Sequence, residues 1–142
     1  MDNAPRRAEG RKTSGIVWTG RDPRGRLVRV SRATWQDHVL VGHPEVRGGE
    51  EYVWAAIREP FRITRSASRG GRDREVYERR DTPPGYYPLR TLLVTAVVEW
   101  RRETVQQKGK AVDRLVGTLC TAYYSATLHR GEVTWEAPPT SD

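Results

Sequence analysis

The sequence predicts an α+β domain in which two short N-terminal helices pack on a four- to five-stranded antiparallel sheet, preceded by a short β-hairpin. Three observations carry this. Helical spacing of apolar residues is confined to 34–46 and 50–59, the other apolar residues fall in short alternating runs, and the helices precede most of the strands instead of alternating with them. A length of 142 residues suits one domain with a modest core. That domain is expected over 15–136, with a basic arm at 1–14 and a loose tail at 137–142.

In the arm, Arg6, Arg7, Arg11 and Lys12 stand among small and polar residues without any apolar period. A strand at 16–18 and another at 26–31 flank Asp22-Pro23-Arg24-Gly25, a strong turn signal. In the first helix Thr34 reads as the N-cap, and Gly42 with Pro44 as the stop. Trp35, His38 and Val39 are three and four apart and share a face, while His43 sits just past the end. After Gly48-Gly49 the second helix puts Val53, Ala56 and Ile57 on one face. Glu50 and Glu51 suit its positive end and Arg58 its negative end, and Pro60 closes it.

Strand 61–66 alternates, with Phe61, Ile63 and Arg65 on one side. A loop at 68–74 leads to strand 75–80, where Tyr77 and Arg79 share a face and Val76 and Glu78 take the other. A turn at 82–85 precedes the most apolar strand, 89–100. Leu92, Val94, Ala96, Val98 and Trp100 line one face and Leu93 and Val97 the other, as in a central strand covered on both sides. The charged segment 101–114 reads as a protruding loop or hairpin tip. Strand 115–125 places Leu119, Thr121 and Tyr123 opposite Cys120, Ala122 and Tyr124, and a short strand is expected at 132–135.

Lysine and arginine number 25 against 18 acidic residues, a net charge of +7, and arginine supplies most of the excess. This fits a polyanionic partner, because the guanidinium fork matches phosphate; it also fits a merely solvated surface. A single cysteine, Cys120, allows no internal disulfide and no thiolate-rich zinc site. No apolar stretch is long enough to span a membrane and no secretory signal is recognisable, so a soluble cytoplasmic protein without membrane contact is expected. No carboxylates gather at metal-binding spacing, no glycine loop has the phosphate-cradling pattern, and no GxSxG elbow occurs. No metal and no cofactor are expected.

Histidine, arginine, threonine and tyrosine remain. They suffice to cleave RNA without metal: the substrate 2′-hydroxyl attacks the adjacent phosphorus, one group takes its proton, another protonates the departing 5′-oxygen, and arginine holds the phosphate. Histidine suits the proton steps, with an ordinary pKa of about 6.5. His38 and His43 are the candidates for them; each also reads as a structural residue, His38 half-buried against a carbonyl and His43 packed in a turn. His129, in a turn with Arg130 and Gly131, reads as simply exposed.

The pattern W-x-x-H-V-L-x-x-H-P-E over 35–45 is followed by A-I-x-E-P, then V-Y-x-R at 76–79, L-L-V-T-A-V-V, and T-A-Y at 121–123. In this order it resembles the phage-associated branch of the barnase, EndoU, colicin and RelE-like nuclease superfamily, over about 27–124. The resemblance implies a small α+β domain and a metal-independent RNase, often a toxin or effector of a phage or mobile element. It implies a helix histidine, sheet arginines and a Thr or Tyr near the last strand as the site. The expected set is therefore His38, His43, Arg79 and Thr121 as catalytic groups, with Arg65, Tyr77 and Tyr123 contacting substrate. RNA is the expected partner, together with a small acidic inhibitor protein. A non-catalytic nucleic-acid-binding module and a structural or partner-binding phage protein are the alternatives.

Overall fold

The computed structural model describes residues 15–66, 73–85 and 91–139. The basic arm, most of the loop expected at 68–74, the start of the strand expected at 89–100 and the last residues of the tail lie outside the described residues. Seven strands form: β1 (Ile16–Arg21), β2 (Leu27–Ser31), β3 (Arg62–Ser66), β4 (Arg74–Asp81), β5 (Leu92–Gln107), β6 (Lys110–Ser125) and β7 (Val133–Glu136). All join one sheet in the order β1-β2-β6-β5-β4-β3-β7.

The expected four- to five-stranded antiparallel sheet is thus corrected to a seven-stranded mixed one, with β2 running parallel to β6 over Leu27–Arg29 and Val116–Thr118. The reason is burial. Val28 and Val30 are fully buried, which a hairpin standing in front of the sheet could not achieve. The hairpin therefore joins one edge of the sheet, and β7 joins the other by pairing with β3. Where β2 joins β6, Gly117 lets the β5 side chains lie close over β6: a Cβ there would lie 2.6 Å from Val98 and 2.8 Å from the Trp100 ring.

The first helical stretch, α1, comprises Arg32–Thr34, a π-helical turn Trp35–Val39 and Leu40–Gly42. Its N-cap is Ser31 and not Thr34, because the Ser31 hydroxyl accepts the Thr34 N–H at 3.1 Å. In the π turn Leu40 N–H bonds the Trp35 carbonyl five residues back, which widens the spiral. Trp35 and Val39 remain buried while His38 turns out to solvent. A 3-10 turn, Pro44–Val46, leads to α2 (Glu50–Arg58).

Trp54 of α2 stacks on Trp18 of β1 at 5.2 Å and meets Trp35 of α1 at 5.0 Å. Below them Val53, Ala56 and Ile57 cover Val94, Ala96, Val98, Leu119 and Ala122 of the sheet. β2 accompanies β6 only as far as Thr118; beyond it α1 lies along the free edge of β6. A helix in place of a strand leaves no exposed ladder there for another chain to pair with.

The charged segment 101–114 is the outer half of the β5–β6 hairpin. Its ladder continues to Gln107 and Lys110, and closes through Lys108 and Gly109 at φ 53 and 79. Two successive positive φ values belong to a tight hairpin turn. Among the described residues no helix is long and apolar enough to cross a membrane.

Candidate functional site

Strand alternation gives the sheet two chemically different faces. On the face beneath α2, a polar network enters the core. Tyr77, Asp22 and Glu75 are buried, and Arg24 reaches them from the β1–β2 turn. Arg24 donates to Asp22 at 2.8 Å and to both Glu75 oxygens at 2.6 and 3.1 Å; Tyr77 donates to Asp22 at 2.7 Å and Trp100 to Glu75 at 2.9 Å. Asp22 also accepts the Arg24 and Arg26 N–H groups at 2.9 and 3.0 Å.

Burial works against the charge on Arg24, but the Glu75 and Asp22 carboxylates outweigh it and raise its pKa. Burial likewise opposes the Glu75 charge, and bonds from Arg24, Thr134 and Trp100 reverse the balance, holding its pKa below the ordinary value. Burial first, and then the Asp22 charge, push the Tyr77 hydroxyl up. All four carboxylate oxygens are bonded, so this cluster is a structural joint between the hairpin and β4.

On the outer face, Tyr123, Thr95, Glu78 and Arg62 lie opposite one another in a row across β6, β5, β4 and β3. Glu78 is fully buried; it accepts from Arg62 Nε at 2.9 Å and from the His129 backbone N–H at 2.7 Å. Arg62 also donates to the His129 carbonyl, so the backbone of His129 is held on both sides. The His129 ring pairs its Nδ1 with the buried Thr64 hydroxyl at 2.9 Å, leaving Nε2 for other chemistry.

At the other end of the row the His43 ring lies 5.3 Å from that of Tyr123, with Nδ1 3.5 Å from Glu45. Burial and then the Glu78 charge raise the Tyr123 pKa, which keeps its hydroxyl a donor. Between them Thr95 is 1% exposed, and its hydroxyl has no hydrogen-bond partner among the described residues.

His43, Thr121 and Tyr123 thus share the outer face. His38 is exposed at its margin, in a cavity of about 300 Å³ that it shares with Arg74, Glu99, Arg101, Thr118 and Cys120. Tyr77, Arg79 and Arg65 belong to the helix-side alternation of their strands. Tyr77 is sealed in the network above, Arg79 donates to the Glu59 carbonyl at 2.8 Å, and Arg65 meets Glu132 and Asp73 at 3.4 and 3.5 Å. Arg62, Thr64, Glu78, Thr95 and His129 were not among the expected site residues. Their signal is the same alternation: once Ile63 and Tyr77 face the core, Arg62, Thr64 and Glu78 must face outward.

Among the described residues no group of three or more His, Cys, Asp or Glu side chains gathers as metal ligands do. No protein-family model, curated protein or solved structure matches the chain.

Proposed function

We propose that the protein cleaves RNA by attack of the substrate 2′-hydroxyl, with His129 at the Arg62 end of the row taking that proton and returning it to the departing 5′-oxygen, and with His43 contacting the strand at the Tyr123 end. The observation that carries this reading is the placing of two imidazoles on one outer-face row, His43 beside Tyr123 and His129 beside Thr64. An imidazole can act first as base and then as acid in such a step. Glu78 and Arg62 are positioning residues, since they grip the His129 backbone and leave its ring free at Nε2. Tyr123 presents an aromatic face and a hydroxyl donor to a base or phosphate. The resemblance of 27–124 to the barnase, EndoU, colicin and RelE-like nucleases supports the same chemistry.

A basic RNase of this kind acts in the cytoplasm, where RNA is abundant, and its host would need an acidic inhibitor protein. Digestion of RNA in the presence of a chelator is the test. Wild-type protein is expected to leave 2′,3′-cyclic phosphate ends, His129→Ala to abolish them and His43→Ala to reduce them. Undiminished cleavage in both variants, or no cleavage by the wild type, overturns the reading.

A further inference from the structure

One row beyond Glu78 and Tyr123 on the same outer face, Arg80, Leu93 and Ser125 stand opposite one another. They border a cavity of about 650 Å³, completed by Thr91, Thr127, Leu128 and Arg130. Among the described residues no Asp or Glu lines it. Two other cavities of the protein differ in this respect. Arg74 and Arg101 share theirs with Glu99, to which both are bonded, and Arg24, Arg26 and Arg65 share theirs with Asp73, Glu75 and Glu132.

Arg80 and Arg130 have no carboxylate partner among the described residues. Arg80 instead lays its guanidinium 4.7 Å over the Phe61 ring, which occupies the face of the fork and leaves its edge to donate. Two guanidinium groups in a concave wall with no counter-charge among the described residues give a stronger positive potential than either of the other two cavities has. Thr91, Ser125 and Thr127 add hydroxyls, which bond phosphate oxygens without bringing charge. Leu128 is 41% exposed at the same wall, an apolar surface against which a base or sugar can lie.

We infer that this cavity is a phosphate subsite for a nucleic-acid strand, with Arg80 and Arg130 holding a phosphate next to the one that reaches His129. Same-face positions two residues apart on a strand are roughly 7 Å apart, so one strand of RNA can lie across both rows. That the strand is RNA rests on the cleavage reading above; that the ligand carries phosphate rests on the unpaired arginines alone.

The test uses the full chain and a short 2′-fluoro oligoribonucleotide, which keeps phosphates and bases but lacks the attacking hydroxyl. Arg80→Gln and Arg130→Gln are each expected to weaken its binding about tenfold, as loss of a charge-assisted contact does. Each is also expected to reduce the slope of log affinity against log salt by about 0.7. Arg65→Gln and Arg101→Gln, whose guanidinium groups already meet carboxylates, are expected to change neither. Inorganic phosphate at millimolar concentration should compete only weakly; competition as strong as that of the oligonucleotide would mean a site for free phosphate and overturn the strand assignment. Binding and salt slope unchanged in both Arg80→Gln and Arg130→Gln would overturn the subsite even if the wild type cleaves RNA. Binding that depends on both arginines in a protein that cleaves nothing would uphold the subsite and remove the catalytic reading.

Discussion

The two faces of the sheet hold similar residues in opposite states. Beneath α2, Asp22, Arg24, Glu75, Tyr77 and Trp100 bond one another until both carboxylates are used up. On the outer face Glu78 and Arg62 are paired as tightly, but their bonds end on the backbone of a histidine whose ring keeps a nitrogen unused. Near them, among the described residues, the buried Thr95 hydroxyl has no partner, and Arg80 and Arg130 line a cavity without a counter-charge. A buried ionic cluster is therefore no sign of function by itself. What separates the faces is whether the bonding capacity is closed within the protein or left open toward a ligand.

The difference is broken most severely by removing the imidazoles. His129→Ala should lower RNA cleavage about 10²–10⁴-fold, the usual contribution of a positioned acid or base, and His43→Ala should lower it by less. His38→Ala, at the margin beside Arg74 and Arg101, should leave the rate near that of the wild type. A result in which His38→Ala alone abolishes cleavage would move the site to that end of the face.

On the other side, Arg24→Ala leaves Asp22 and Glu75 buried without their cation and should destabilise the fold by about 3–5 kcal/mol. For a domain of this size that lowers the melting temperature by roughly 10 °C, read by calorimetry. Cleavage per folded molecule should not change, and a selective loss of activity would show that the network reaches the outer face.

The same network sets the pH range of stability. Glu75 is held below its ordinary pKa, so its contribution is present above about pH 4.5 and fades as the pH falls further and the carboxylate protonates. Tyr77 is pushed above 10; its contribution is present below that pH and is lost as the unfolded chain ionises at higher pH. Denaturation midpoints should therefore fall at both extremes, and Tyr77→Phe should flatten the alkaline limb only.

The smallest change is Thr95→Val. It replaces a buried hydroxyl without a partner by a methyl, so stability should stay level or rise by up to about 1 kcal/mol. If the hydroxyl serves the substrate, cleavage should fall several-fold nonetheless. A variant unchanged in both respects would make Thr95 ordinary sheet packing.

Each of the seven strands carries a local signal that survives in the structure, from the Asp22-Pro23-Arg24-Gly25 turn to the alternation of Leu92–Trp100. Their assembly was less legible. Parallel pairing of β2 with β6 depends on segments far apart in sequence, and no local pattern announces it. The 101–114 ladder carries no apolar alternation because both of its sides meet water. The site was half legible: His43, Thr121 and Tyr123 do share a face, and so do Tyr77 and Arg79, but these are opposite faces. Choosing between the faces needed the knowledge of which one α2 covers. His129 was the hardest to see, since a turn histidine gains its setting only when Thr64, Glu78 and Arg62 close around it from β3 and β4.

The junction of β2 with β6 also bears on how the chain reaches this state. Val28 pairs with Gly117, so nearly the whole domain intervenes between two neighbours in the sheet. Contacts of such sequence separation are closed late and slowly, because the loop entropy is lost before the contact compensates it. The antiparallel body of β3 to β6 can form from hairpin-like neighbours, while the N-terminal hairpin docks last. Until it does, the Trp100 ring lacks Arg24 and Arg26 above it and Glu75 lacks Arg24. The slow step of folding and the completion of the helix-side network are then one event, timed by a hairpin synthesised first and placed last.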